Sequence, residues 1–283
     1  MSIAMVVKVS EGLVLGADSA ATINGQIDGP QGTFEGVIKT YYNARKLMQI
    51  GDFPIGVMTW GIAQIGARTI ESLVREWEYN AHWQSREGFH TGHTKETKYL
   101  VEDCAKSLKD YLADKYAQAW NVKDTPMERL PGLGIVVAGY SENQFFPEEW
   151  TFVIPHDESI INTRPDVDGN PDFGANWFGM TDAIVRLHWG RDDVALQILS
   201  ERTGLGVEEI RELLLPLQLQ IPFGVMPLQD AIEYAYYMLN VAIGRFKFAV
   251  GPELCGGQID IAAISAGEFK WISKKSWKLN NGG

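Results

Sequence analysis

Residues 1–18 read MSIAMVVKVSEGLVLGAD, and the fold is decided there. Two apolar runs, Ile3 to Val9 and Leu13 to Gly16, flank Ser10-Glu11-Gly12. The glycine in that short connection accepts backbone angles that other residues avoid, so the stretch predicts a β-hairpin at the head of the chain. Ser2 follows Met1 and is small enough for the methionine to be trimmed, which would leave a hydroxyl and a free α-amine on one residue. Such a residue is a nucleophile that carries its own base. An α-amine titrates near ~8, so around neutrality a useful fraction of it is free to take the hydroxyl proton. The second strand runs into Asp18-Ser19, and the hairpin is expected to bring that carboxylate back beside Ser2.

Three segments then carry a family resemblance: Gly12-Leu13-Val14-Leu15-Gly16-Ala17-Asp18-Ser19, Arg45-Lys46-Leu47-Met48-Gln49-Ile50 and Gly56-Val57-Met58-Thr59-Trp60-Gly61. Together they resemble a proteasome β-type subunit of the N-terminal-nucleophile hydrolase superfamily, in the manner of a bacterial proteasome homologue. In that family a processed N-terminal Thr attacks, an Asp closes the first hairpin and a Lys begins the third strand. Counting back from Asp18 places the nucleophile on Ser2, and the lysine falls on Lys46. The oxyanion-binding amide falls on Trp60 by counting from Lys46, and on Gly61 by matching the glycine. Near the C-terminus Cys255-Gly256-Gly257 resembles the family's Ser-Gly-Gly turn, which makes Cys255 and the nearby acid Glu253 candidate supporting residues.

Several positions depart from the family pattern. The nucleophile is Ser and lacks the methyl that restricts a Thr rotamer. Ala20 stands where most active members place an Arg, and the family's second Asp falls on Pro252, with Glu253 one residue out of register. Phe178-Gly179-Met180-Thr181 matches the family's Gly-Ser-Gly turn only at Gly179 and Thr181.

Elsewhere the chain reads as strands, helices, strands, helices, strands without repeat or linker, an order that favours one α+β domain over residues 1–283 with helices outside two sheets. The resemblance implies the fuller form of this, a four-layer αββα sandwich with two antiparallel sheets between helix layers. Residues 20–42, with Asn24-Gly25, Gly29-Pro30 and Gly32, read as a long loop inserted over a cleft or for a partner. A helix is expected from Gly61 through Ile62, Ile65, Ile70, Leu73, Val74 and Trp77, so that the amides at Trp60 and Gly61 would lie at a helix start. A second helix is expected over Thr97 to Trp120 and a last one over Leu228 to Phe248. Strands are expected at Gly132 to Tyr140, Trp150 to Ile154, Ser159 to Thr163, Ile259 to Ser265 and Phe269 to Ile272. Residues 191–226 read as an inserted helical hairpin whose Leu213-Leu214-Leu215-Pro216-Leu217 run suits an interface or a core helix.

Composition narrows the function classes. With 25 Lys and Arg against 36 Asp and Glu, the net charge of −11 argues against a nucleic-acid backbone or an anionic membrane as partner. No apolar run approaches the ~20 residues of a membrane span and no signal-peptide layout is present, so a cytoplasmic location is expected. The two cysteines, Cys104 and Cys255, have neither disulfide nor metal spacing, and Cys104 reads as a buried small apolar residue. His82, His90 and His93 cluster in a loop but lack helical pairing and a nearby Cys, so no metal is expected, and no cofactor.

The chemistry implied by the resemblance is acyl transfer from Ser2, set by Asp18 and Lys46, within a homo-oligomeric ring that takes peptide or unfolded protein and works with an unfoldase partner. A non-catalytic scaffold subunit of the same fold, and a small-molecule amidase, remain the alternatives.

Overall fold

The computed structural model describes residues 2–29, 32–87, 89, 98–156 and 159–276. The head of the chain forms the expected hairpin. Strands β1 (Ile3–Val9) and β2 (Gly12–Ala17) pair antiparallel with Ala4 opposite Ala17 and Val9 opposite Gly12. Every residue of both strands is buried, which is why their apolar residues run continuously instead of alternating with polar ones. The hairpin lies in the middle of an antiparallel five-stranded sheet. On one side β1 pairs with β12 (Gly174–Gly179), and on the other β2 pairs with β13 (Asp260–Ser265), followed by β14 (Glu268–Ser273).

A second antiparallel five-stranded sheet has the order β11 (Ile161–Asn162), β10 (Glu148–Ile154), β9 (Leu133–Gly139), β6 (Ile55–Gly61), β5 (Leu47–Gln49). The period-two geometry of a strand divides its side chains between two neighbours. In β1, Ile3, Met5 and Val7 join an apolar cluster with helix α6 (Leu228–Phe248), whereas Ala4 and Val6 join a different cluster with Leu47, Met58, Val136 and Ala138 of the second sheet. In β9, Leu133, Ile135 and Val137 point the other way, into a third cluster with helices α1 (Ile70–Asn80) and α2 (Val101–Ala119).

The helices are read from spacing. Buried Ala231, Ala235, Met238, Leu239, Ala242 and Phe246 recur at three and four residues along α6, a single stripe against β1 and β2. In α2, Val101, Cys104, Ala105, Leu108 and Leu112 do the same against β9 and β10, and Cys104 is one more buried member of the stripe. Close approach between the sheets depends on an absent side chain, since a Cβ on Gly56 would lie 2.4 Å from the Leu15 Cδ1; within the second sheet, a Cβ on Gly134 would lie inside the ring of its strand neighbour Trp60.

Two expectations need correction. The helix expected from Gly61 begins only at Ile70, capped by the Thr69 hydroxyl accepting from the Ser72 amide at 3.2 Å. Residues 64–69 instead make a tight ribbon of β7 (Gln64–Ile65) and β8 (Arg68–Thr69), turning at Gly66 with φ +56°. Ile62 and Ile65 are spaced as on a helix, yet a three-residue spacing over so short a run fits a turn equally well. Residues 20–42 are likewise a hairpin and not a loop: β3 (Ala21–Gly29) pairs with β4 (Gly32–Tyr41). Asn24-Gly25 falls within a strand, beside a register shift at Ile23, and the β-branched Thr22, Ile23, Ile27, Thr33, Val37, Ile38 and Thr40 carry the strand preference.

Helix α3 (Asp182–Trp189) leads into the segment 191–226, which carries the expected helical pair as α4 (Asp193–Thr203) and α5 (Val207–Leu213), followed by a 3-10 turn at Leu215–Leu217. Leu213, Leu215 and Leu217 are exposed, so the apolar run is a surface feature. No helix among the described residues is long and apolar enough to cross a membrane.

Since Leu15 fills the space that Gly56 leaves between the sheets, Leu15→Ala is expected to cost about 2–5 kcal/mol in urea unfolding. Val250→Ala, at a fully exposed position, is expected to stay within about 0.5 kcal/mol of the parent.

Candidate active site

Asp18 follows β2 directly, so the hairpin register that pairs Ala4 with Ala17 sets its carboxylate beside the start of β1. There the Asp18 amide donates to the Ile3 carbonyl at 3.1 Å and the Ile3 amide donates to Asp18 Oδ1 at 3.1 Å. The other oxygen, Oδ2, accepts from the amides of Ala20 at 3.1 Å and Gly256 at 2.9 Å. The Lys46 ammonium completes the set at 2.5 Å from Oδ1. Asp18 and Lys46 are 1% and 5% exposed, so this is a buried ion pair whose carboxylate is saturated by four donors.

Burial lowers the Lys46 ammonium below the usual lysine value, and the neighbouring Asp18 charge opposes that fall. Lys46 immediately precedes β5, and its carbonyl accepts from the Thr59 amide at 3.0 Å, which ties it to the end of β6. Behind it Lys275 donates to the Ala44 carbonyl at 2.6 Å and lies 3.5 Å from Asp260. Position 44 is thereby anchored two residues ahead of the buried lysine.

Ser2 lies at the head of β1 and is buried. Its carbonyl accepts from the Met180 amide at 2.8 Å, just beyond the pairing of Ile3 with Gly179. Gly179 is needed there: at φ +89° its Cβ would lie 2.1 Å from the Ser2 carbonyl oxygen and 3.7 Å from the Trp60 Cβ. The end of β6 therefore reaches the head of β1. Trp60 itself stacks on Phe178, ring centroids 4.6 Å apart.

The directions of the two amides at this strand end differ. Thr59 donates to Lys46 on one edge of β6, and Ile62 donates to the Gly132 carbonyl at 3.0 Å on the other. Because successive amides of a strand point to opposite edges, that of Trp60 faces β9, where Trp60 pairs with Gly134, and that of Gly61 faces the Lys46 edge beyond the end of β5. Gly61 has φ +89°, and a Cβ would strike the Gly132 carbonyl at 2.2 Å, so no other residue presents its amide in this way.

The remaining candidates behave differently. Glu253 accepts from the Tyr42 hydroxyl at 2.7 Å, and Asp18 and Lys46 make no hydrogen bond to it. Cys255 is buried, its Sγ lies 3.7 Å from the Ala242 carbonyl, and burial with the Asp18 charge pushes its thiol up to about 12. Among the described residues no three His, Cys, Asp or Glu side chains converge as metal ligands would, and His90 and His93 lie outside those residues. Two contributors were missed in the sequence: the Gly256 amide on Asp18, and the Ser19 hydroxyl donating to the Gln258 carbonyl. Both join the first hairpin to the glycine turn before β13, whose likeness to a family turn was visible but whose contact with that hairpin was not.

The class these observations define is a mixed α and β fold of antiparallel sheets with helices, carrying a buried Asp–Lys pair at the head of its first strand. Among solved structures, a mutant of Anbu from Hyphomicrobium sp. strain MC1 matches 99% of this chain and 88% of its own with a TM-score of 0.51, at 11% identity. Anbu is a bacterial proteasome-like member of the N-terminal-nucleophile hydrolases, and at this identity the likeness is one of fold. No family profile matches the chain, and no curated protein does.

Asp18→Asn removes the charge that holds Lys46 protonated and leaves a buried cation unpaired, so a loss of about 3–5 kcal/mol at neutral pH is expected. The folded-state value of Lys46 already lies below its unfolded value and falls further in the variant. The unfolded chain then binds more protons than the folded one in the window between the lowered value and the ~10.4 of an unfolded lysine, and stability rises with pH across it. Urea unfolding of parent and variant from neutral pH to about 10 should show the deficit shrinking as pH rises.

Proposed function

We propose that this chain is an N-terminal-nucleophile hydrolase built as a single-domain four-layer αββα sandwich with insertions at 20–42 and 191–226, and that it cleaves peptide bonds. The observation that carries the reading is the buried Asp18–Lys46 pair, tied by the Ile3 amide to the residue next to Ser2. A serine hydroxyl has little nucleophilic character unless a base removes its proton. Once Met1 is trimmed, the Ser2 α-amine is that base, and the nearby Lys46 charge keeps the amine in its unprotonated form by like-charge repulsion.

In the first step the Ser2 hydroxyl attacks the acyl carbon, its proton passes to the α-amine, and the new oxyanion accepts from the Gly61 amide. The amine then delivers the proton to the departing amide nitrogen as the C–N bond breaks, leaving an ester on Ser2. Water attacks that ester with the amine as base, releasing the acid and restoring the hydroxyl. Trp60 supports the site by packing on Phe178 and Gly134, which fixes the strand end that carries Gly61.

Peptide or unfolded protein is the proposed substrate, and a homo-oligomeric ring served by an unfoldase the proposed setting. The exposed Leu213, Leu215 and Leu217 are of the kind that subunit contacts cover. A second reading, a non-catalytic scaffold subunit of the same fold, is favoured by one observation: Glu253, the acid nearest the family's second carboxylate, is engaged by Tyr42 and not by the head of β1.

Intact-mass spectrometry of protein made in cells with normal methionine processing, before and after an electrophilic peptide probe, separates the two. The hydrolase gives loss of Met1 and one adduct that maps to Ser2 and is absent in Ser2→Ala with the fold retained. A terminus that keeps Met1, or a trimmed one that never takes the probe, assigns the chain to the scaffold reading.

A further inference from the structure

A cavity of about 850 Å³ lies along the free edge of β12, walled on its far side by residues 218–221 and at one end by the corner between α3 and α4. None of Ser2, Asp18, Lys46 or Gly61 lines it. The Leu219 amide donates to the His188 carbonyl at 2.8 Å, which holds the far wall to α3. The volume falls in the range of small-ligand sites and far exceeds what imperfect packing leaves.

Arg191, in the corner, is 5% exposed and lines the cavity. A guanidinium stays charged in proteins, and burying one without a carboxylate costs several kcal/mol. Among the described residues Arg191 meets no carboxylate within ion-pair distance: its hydrogen bond goes to the Trp189 carbonyl at 3.2 Å, and its guanidinium lies 5.5 Å from the Trp189 ring centre. The neighbouring charges are already committed. Asp192 is bound by Arg186 and caps α4 at the Ala195 amide, Arg211 pairs with Glu208, and Arg164 pairs with Asp172 at 3.2 Å. Asp193 also lines the cavity but is solvent-exposed, where water and salt screen it. Arg164 also lines the cavity, and its Nε is buried without a hydrogen-bond partner.

Aromatic rings form part of the remaining lining, beside small, aliphatic and amide residues. Trp177 meets His188 edge-on with ring centroids 4.9 Å apart, and Phe173, Trp189 and Phe223 add apolar surface. His188 is not a second cation, since burial and the Arg164 charge lower it and its Nδ1 lies 3.1 Å from the Tyr234 hydroxyl. One unspent positive charge inside a cavity whose wall includes Phe173, Trp177, Trp189 and Phe223 selects an anion with an apolar body. From this geometry we infer that the β12-edge cavity is a binding site for a small organic acid with an aromatic or bulky apolar body, its carboxylate held by Arg191 with Arg164 close by. The site shares only Phe178, on which Trp60 stacks, with the surroundings of Ser2, and the proposal does not depend on the Ser2 chemistry.

The test is isothermal titration of the full chain with 2-naphthoate and, in parallel, the neutral 2-naphthamide of the same shape. Binding of the acid, no measurable binding of the amide, and a loss of at least about tenfold in Arg191→Gln are expected, the factor a charge-assisted hydrogen bond carries. Removing an unpaired buried charge should leave the variant folded with an unchanged or higher Tm. Leu219→Trp, which fills the cavity from its far wall and keeps Arg191, should also abolish binding. No heat with 2-naphthoate up to roughly 10 mM, equal binding of acid and amide, or an Arg191→Gln variant that binds as the parent does would overturn the proposal. So would an unchanged naphthoate affinity accompanied by a shift in oligomer mass on Arg191→Gln, since the arginine would then serve a contact between copies of the chain.

Discussion

The carboxylate of Asp18 is the junction on which the structure around the first strand depends. It accepts from the amides of Ile3, Ala20 and Gly256 and from the Lys46 ammonium, and these four donors come from four separate stretches of chain. A buried carboxylate with unfilled lone pairs costs several kcal/mol, and so does a buried ammonium. Each is tolerable here only with the other in place and with the amides that fill the remaining positions. The start of β1, the end of β2, the entry to β5 and the glycine turn before β13 are therefore fixed relative to one another by an electrostatic requirement and not by apolar contact alone. Apolar burial would accept small displacements of these strands. A saturated carboxylate accepts far less, because losing one amide exposes an unsatisfied oxygen in a medium of low dielectric.

That junction needs the sheets to arrive in register. Val7 opposite Val14 in the hairpin and Val7 opposite Ala175 in β12 fix β1 from both sides, and a one-residue slip would turn Ile3, Met5 and Val7 away from α6 and into the opposite sheet. The same slip would carry Asp18 away from Ile3. Core patterning and site geometry are thus one constraint, which explains why the hairpin is buried on both faces although it begins at the head of the chain.

The features legible in the sequence are those whose cause is local. The first hairpin could be read from two apolar runs around Gly12, and α6 from a stripe of small and apolar residues that holds its period from Ala231 to Phe246. The spacing of Asp18 from Ser2 could be read because a hairpin converts sequence distance into spatial return. Segment 62–69 could not, since Ile62 and Ile65 match a helix over one turn and run on in period into Ile70, Leu73, Val74 and Trp77 of the true helix, whose cap is Thr69. Residues 20–42 failed for the opposite reason. Glycines at 25, 29 and 32 were weighed as turns, although β-branched neighbours on both sides decide for strands. The Gly256 amide and the unpaired Arg191 were beyond reach of the sequence altogether. Each is defined by what does or does not meet it from a distant part of the chain.

The nucleophile proposed for this site follows from the same electrostatics. Ser2, Ser19 and Cys255 each have a group that can attack and lie on stretches of chain that meet at Asp18. The Ser19 hydroxyl is fully buried and already donates to the Gln258 carbonyl. Cys255 would be the best of the three as a thiolate, but burial beside the Asp18 charge holds its thiol up to about 12, so it stays protonated and nearly inert. The Lys46 charge draws the thiol down, but by less than burial and the Asp18 charge push it up. Ser2 is the remaining one, and its advantage is positional: trimming of Met1 creates an amine on the attacking residue itself, a base that needs no further side chain. A site organised in this way can dispense with an arginine at Ala20 and an acid in place of Pro252, provided the lysine remains charged and fixed. Both conditions rest on Asp18, so the carboxylate that holds the strands in place is also the group on which the proposed chemistry depends.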